Sequence, residues 1–172
     1  MSRHMIMVRV LLTALAALLL LAAPAASGGG VVHYGGSTAT QILISDFSSA
    51  TPLPGGRLLL EGRIVREYYQ CDPGDGPDLV SGWYLAHMSA IMEPGGTLLA
   101  WGDVVSEDLD YWPNPDSGGI RGIFDAVVTQ DGLNFALNSK TLGWGEMEGI
   151  RGWHHEFWEG TEVRFFGHYQ EP

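Results

Sequence analysis

The chain has 172 residues and a formal net charge of −11 at pH 7, with 20 acidic side chains against nine basic ones. A surface this acidic repels nucleic acid and anionic lipid, so the composition argues against a nucleic-acid-binding protein. Cys71 is the only cysteine, which excludes an internal disulfide and leaves stability to the core or to oligomerisation.

The N-terminal segment has the pattern of a secretory signal peptide. Arg3 and Arg9 precede an apolar run over residues 10–23, and residues 23–25 (Ala-Pro-Ala) supply the small side chains of a cleavage site. The apolar run of roughly 14 residues is shorter than the ~20 that a membrane-spanning helix needs. We therefore predict a signal peptide over residues 1–27 and a secreted or periplasmic protein without a later membrane span. An uncleaved anchor is the alternative.

The remaining chain, about 145 residues, suits one domain with its own core. All 24 glycines follow the signal peptide, roughly one residue in six against ~7% in an average protein. This density disfavours helices and suits turns, bulges and barrel corners. Apolar and polar residues alternate with period two, which indicates strands. We predict a flexible leader over residues 28–37 and one all-β domain, an antiparallel barrel of eight strands, over residues 38–172. The strands are expected at residues 39–47, 56–69, 79–92, 96–106, 120–128, 132–142, 147–158 and 161–169.

The possible metal ligands form no recognisable site. His154 and His155 are adjacent, and adjacent strand residues face opposite sides of a sheet, so the two cannot chelate one ion together. The three aspartates of the long loop 71–78 lack the alternating spacing and distal glutamate of an EF-hand. Asp, Gly and Pro are also ordinary turn residues, so calcium binding is only an alternative to a plain turn. We expect neither a metal nor an organic cofactor.

Charged side chains inside apolar strands are the candidate ligand-binding residues. Arg66 shares a strand face with Leu58 and Leu60, and two later strands each place a charged or titratable residue beside a tryptophan. If these faces line the barrel, they form a polar rim on an aromatic cavity, and Arg66 would suit a ligand with an acidic or carbonyl end. The alternatives are that these faces point outward or that the barrel is packed shut. The predicted set is Arg66, Tyr68, Trp83, His87, Trp101 and Asp103.

A glycine-rich motif near the C-terminal end resembles one in a known barrel family. Gly143, Gly145, Gly149 and Gly152 surround a large apolar residue and Arg151. The pattern is similar to that of the allene-oxide-cyclase-like and dirigent-like superfamily. That resemblance implies an eight-stranded antiparallel barrel, often trimeric, with an apolar cavity. It also implies enzymes that guide cyclisation or coupling without a cofactor, although no catalytic residue can be transferred.

Three functions fit these features. The first is a secreted barrel that binds a small apolar ligand, and the second is a cofactor-independent cyclase or isomerase that uses the same cavity. The third is an envelope interaction protein with a closed core. Several strands are apolar on both faces, so we also expect the outer wall to be covered, either by a packed terminus or by an oligomer contact, in a trimer if the resemblance holds.

Overall fold

The computed structural model describes residues 30–72, 81–110, 118–129, 135–159 and 161–170. The predicted signal peptide, the start of the leader and most of the long loops 71–78 and 107–119 lie outside these ranges. Within the described part of the chain, no helix is long and apolar enough to cross a membrane. The described strands are β1 Val31–Ser45, β2 Ser49–Leu53, β3 Arg57–Cys71, β4 Gly82–Met92, β5 Leu98–Leu109, β6 Gly118–Val128, β7 Phe135–Gly145, β8 Arg151–Glu159 and β9 Glu162–Gln170.

All of these strands belong to one antiparallel sheet that closes into a barrel. The order is β1-β9-β8-β7-β6-β5-β4-β3-β2, and β1 also pairs with β3. The ring therefore contains eight strands, and β2 is an additional strand along the first half of β3. The predicted all-β, eight-stranded antiparallel barrel is confirmed, and each predicted strand corresponds to one strand of the ring.

Strand β1 begins earlier than the sequence analysis expects. Residues 31–37, assigned there to a flexible leader, pair with β9, and Tyr34 is buried in the core. Gly36 of this segment serves close packing. A Cβ at Gly36 would overlap the carbonyl oxygen of Gln70 on β3. Glycine here permits two backbones to approach, which the sequence pattern alone cannot distinguish from flexibility.

A bulge in β3 exchanges the two faces of that strand. Leu60 pairs with Ala90, whereas Arg63 pairs with Met88, so two residues of β3 stand against one of β4. Gly62 lies in the bulge with a φ of 89°, a left-handed conformation that favours glycine. Because paired residues share a face, Leu60 points inward with Ala90, and beyond the bulge the odd-numbered residues point inward.

The glycine-rich motif forms the connection between β7 and β8. Gly145 and Gly149 have positive φ, and a Cβ at Gly143 would overlap the carbonyl oxygen of Met147. Met147 is buried at this turn, so the motif shapes backbone and inserts one apolar side chain into the core.

Two groups of buried side chains fill the barrel interior. The group called the aromatic cluster here contains Tyr34, Tyr69, Cys71, Tyr84, Leu109, Ile120, Met147, Phe165 and Tyr169. The group called the alanine wall contains Ala86, Ala90, Ala100, Phe124, Ala126 and Leu137. The aromatic rings fill one end of the barrel, whereas four alanines in a barrel wall leave space between opposite strands.

Candidate functional site

The barrel contains a cavity of about 760 Å³. Its apolar side includes Ala86 and Ala100 of the alanine wall, with Met88, Val104 and Phe124 beside them. Small-molecule sites commonly have volumes of about 300–1,000 Å³ and mostly apolar linings. The short side chains of Ala86 and Ala100 leave room inside this part of the barrel.

The cavity reaches the surface where the ring is incompletely paired. The pairing of β1 with β9 ends at Ser37, opposite Arg164, although β1 continues to Ser45. Residues from both sides of this gap line the cavity, including Thr38 on β1 and Trp158 at the end of β8. The opposite end is closed by the aromatic cluster.

One side of the cavity carries a hydrogen-bonded group of polar side chains. The Tyr69 hydroxyl lies 2.5 Å from Glu156 Oε1 and 2.8 Å from Glu67 Oε2, so it bridges two carboxyl groups. His154 Nε2 lies 3.0 Å from the same Glu156 oxygen, and Tyr34 contacts His154 Nδ1 at 3.4 Å. We call these five residues, which come from β1, β3 and β8, the carboxyl cluster.

The two carboxyl groups of the cluster compete for one phenol proton. A phenol has one proton to donate, so Tyr69 can donate to only one carboxylate at a time. Its second short contact becomes a hydrogen bond when the other carboxyl group is protonated and donates to the phenol oxygen. Burial raises the pKa of Glu67 to about 7, and the charge of Glu156 acts in the same direction. Hydrogen bonds from Gln41 and Tyr69, and the charge of Arg63, partly offset this rise.

The tyrosines of the cluster remain hydrogen-bond donors at neutral pH. Burial raises the pKa of Tyr69 well above its ordinary value, and Glu156 and Glu67 raise it further. Burial is also the main cause of the raised pKa of Tyr34. Both phenols therefore keep their protons, and Tyr34 donates to the carbonyl oxygen of Trp153 at 3.2 Å.

One buried hydroxyl beside the carboxyl cluster is unsatisfied. Thr38 lines the cavity opposite Tyr69 in the pairing of β1 with β3. Its Oγ1 is buried and has no hydrogen-bond partner among the described residues. Buried polar atoms are normally paired, but this oxygen exposes essentially no surface to the cavity, so a ligand there does not contact it without a local rearrangement.

The structure places all six predicted ligand-binding residues on the outer face of the barrel, outside the cavity lining. Arg66 Nε contacts Glu107 at 2.6 Å, and its guanidinium lies 4.5 Å from the ring centroid of Trp83. Tyr68 donates to Asp110 and packs against Trp83. The expectation that Arg66 forms a cationic rim in the cavity is wrong.

The other three predicted residues lie on neighbouring strands of the same outer face. His87 Nδ1 lies 3.0 Å from Asp103 Oδ2, in a pair that is largely exposed. Trp101 is 42% exposed. The face assignment fails on β3 because the bulge at Gly62 exchanges the faces, and on β4 and β5 because both faces are apolar.

The interior polar residues are not among the site residues predicted from the sequence. Glu67 and Tyr69 alternate with the predicted Arg66 and Tyr68 on β3, and the same alternation separates Glu156 from His155 on β8. A usable signal was the combination of Glu67 and Tyr69 with Val65 on one face. Choosing that face required the position of the bulge.

Outside the carboxyl cluster, the other histidines of the described ranges lie on the outer wall. His155 and His168 pack around Trp153, on the face opposite His154. In the described ranges, no group of three or more His, Cys, Asp or Glu side chains is arranged to hold a metal ion.

No protein-family model matches this sequence, and no curated protein matches it. The functional interpretation therefore depends on the cavity and its chemistry.

Proposed function

We propose that the protein is a secreted or periplasmic barrel that binds a small apolar ligand in its cavity. The observation that carries this proposal is the cavity of about 760 Å³ bounded by the alanine wall. Such a volume accommodates a drug-sized molecule, and burying apolar ligand surface is favourable by about 25 cal/mol per Å². Burial of about 200 Å² would supply about 5 kcal/mol before the entropic cost of association.

The test is binding of a neutral fluorescent probe, N-phenyl-1-naphthylamine, to the protein and to a cavity-filling variant. Ala100 lines the cavity, so Ala100→Phe should fill the space and lower the affinity at least tenfold. Ala136→Phe is the matched control, because Ala136 pairs with the exposed Val127 on the outer face. If Ala100→Phe does not fold, Ala86→Leu replaces it. Equal probe affinity in the folded cavity variant and the control would refute the proposal.

A cofactor-independent enzyme in the same cavity is the second candidate. It is favoured by the two carboxyl groups, Glu67 and Glu156, that the Tyr69 hydroxyl bridges, since acid–base catalysis needs a titratable group within reach of the substrate. An isomerase or cyclase of this type would exchange C–H protons of a bound ketone for deuterium in D2O. Glu156→Gln should abolish that exchange. A protein that only binds ligands would show no exchange in the parent form.

Exposed apolar side chains on the outer wall of the barrel favour a contact with further copies of this chain. Ile123 is 67% exposed and Leu142 is 51% exposed, and Leu99, Trp101 and Val127 on β5 and β6 are also exposed, although Ile123 itself pairs with Asp103 and Lys140. We retain the proposal that this wall is covered by oligomerisation, in a trimer if the family resemblance holds. A strict monomer in light scattering at micromolar concentration would contradict the oligomer proposal. A closed-core interaction protein has less support, because the interior contains a cavity.

A further inference from the structure

We propose that the head group of the ligand is a cation, and that the protein binds amphipathic amines with the nitrogen at the carboxyl cluster. This inference depends on the proposed function, because it names the chemistry of a ligand in the same cavity. The apolar body would lie against the alanine wall, and the ammonium group would lie beside Glu67 and Tyr69.

The charges of the cavity favour a cation over an anion. Glu67 and Glu156 lie on its polar side, and Glu162 lies among the residues of the mouth. Arg63 is the one Lys or Arg side chain among the described lining residues, and its guanidinium pairs with Asp46 at 3.4 Å. A carboxylate ligand would face at least two acidic side chains without an unpaired arginine to hold it.

The hydrogen-bonding capacity of the site matches an ammonium group. An ammonium has three donors and no acceptor. Glu67 in its ionised form is an acceptor on β3, and the Tyr69 oxygen lies two residues along the same strand, on the same face, 2.8 Å from the Glu67 carboxyl group. A bound cation would also stabilise the ionised form of Glu67, which burial and the charge of Glu156 otherwise disfavour.

Aromatic rings complete the environment of a cation. Tyr69 packs edge to face against Phe165, with ring centroids 5.4 Å apart, and against Tyr84 at 5.0 Å. All three residues line the cavity. Ring faces attract cations most strongly in sites that exclude water, so the rings add selectivity for an amine over an alcohol of equal length.

The proposal predicts that amine binding strengthens with pH through the neutral range. Glu67 must lose its proton to become a full acceptor, so the affinity for an amine should rise between pH 5.5 and 8. The titratable or charged groups around Glu67 are Tyr34 from β1, Arg63 and Tyr69 from β3, Tyr84 from β4, and His154 and Glu156 from β8.

The experiment compares three probes of equal chain length, octylamine, octan-1-ol and octanoate, by displacement of N-phenyl-1-naphthylamine at pH 8. Octylamine should bind about tenfold more tightly than octanol, the size of one charge-assisted hydrogen bond, and octanoate should bind most weakly. Glu67→Gln should remove most of the preference for the amine and leave octanol binding unchanged. Glu107→Gln on the outer wall is the control for non-specific attraction to an acidic surface.

The outcomes distinguish the cation site from the proposed binding of a small apolar ligand in the cavity. Equal affinities for octylamine and octanol, or a preference for the amine that survives Glu67→Gln, would overturn the cation site. The cavity proposal would stand in that case, provided that octanol displaces the probe. If neither octanol nor the neutral probe binds, the proposed function itself fails. If Glu67→Gln does not fold, the pH series on the parent protein decides, because a constant ratio of amine to octanol affinity from pH 5.5 to 8 contradicts the proposal.

Discussion

Replacement of Glu67 by glutamine should stabilise the protein at alkaline pH. Burial and the nearby Glu156 raise the pKa of Glu67 from 4.5 to about 7, so the folded state disfavours its ionised form. At about 1.36 kcal/mol for each pKa unit, this difference corresponds to roughly 3 kcal/mol. Glutamine can keep hydrogen bonds to Gln41 and Tyr69 without the charge. The expected gain is about 1–3 kcal/mol, because Glu67 retains some access to solvent.

The pH dependence of the stabilisation by Glu67→Gln follows from the direction in which the pKa of Glu67 is shifted. Below pH 4.5 the carboxyl group is protonated in both the folded and the unfolded chain, so its ionisation costs nothing. Between pH 4.5 and about 7 the unfolded chain releases the proton while the folded chain retains it, and the penalty grows. Above pH 7 the penalty is fully present. The advantage of Glu67→Gln should therefore be near its minimum at pH 4 and reach a plateau above pH 7.

The assay is urea unfolding of the parent protein and the variant at intervals from pH 4 to 8.5. The quantity compared is the difference between their free energies of unfolding. Glu61→Gln is the matched control, since Glu61 is exposed on the same strand and should show no such pH dependence. A difference that is constant with pH, or a Glu67→Gln variant less stable than the parent at pH 8, would refute the assigned electrostatics.

Three further substitutions test the assignment of faces. Tyr69→Phe removes the hydrogen bonds to the carboxyl groups of Glu67 and Glu156, so urea unfolding should show a destabilisation of about 1–3 kcal/mol. An effect below ~0.5 kcal/mol would contradict the bridging role of Tyr69. Arg66→Ala breaks an exposed pair with Glu107, so it should lower the free energy of unfolding by no more than ~1 kcal/mol and leave the probe affinity unchanged. A tenfold weaker probe affinity would show that Arg66 belongs to the binding site. Gly102→Ala places a Cβ against the carbonyl oxygen of His87, so it should destabilise the folded protein by about 1–3 kcal/mol and lower the Tm in thermal unfolding. An unchanged Tm would show that β4 and β5 do not approach each other this closely.

The fold class follows from the sequence because glycine density and period-two alternation both exclude helices. The eight ring strands are predictable for the same reason, since each is a continuous alternating run between turn residues. Strand β2 is not predicted, because its five residues include a proline and resemble a connection. The first half of β1 is missed because Gly35 and Gly36 are as common in flexible segments as in closely packed strands.

The site is predictable only in part. The sequence predicts an aromatic, partly polar barrel interior, but it does not predict which face of each strand points inward. On β3, Arg66 and Glu67 each have aromatic and aliphatic neighbours at alternate positions, so polarity does not decide which of them faces inward. The bulge at Gly62 decides it, and one glycine in a glycine-rich chain does not reveal a bulge. The partnership of Tyr69 with Glu156 joins residues 87 positions apart and depends on the closure of the ring.

The most direct test of the central claim is an NMR measurement on protein labelled with 13C at the methionine methyl groups. Met88 lines the cavity, whereas Met147 is buried in the aromatic cluster and lies outside the lining. With bound N-phenyl-1-naphthylamine, we expect nuclear Overhauser effects between the probe ring protons and the Met88 methyl group, which Met88→Leu would identify by the loss of its signal. The Met147 methyl group should show none. Saturable probe binding with no change at Met88 would contradict a ligand site inside the barrel.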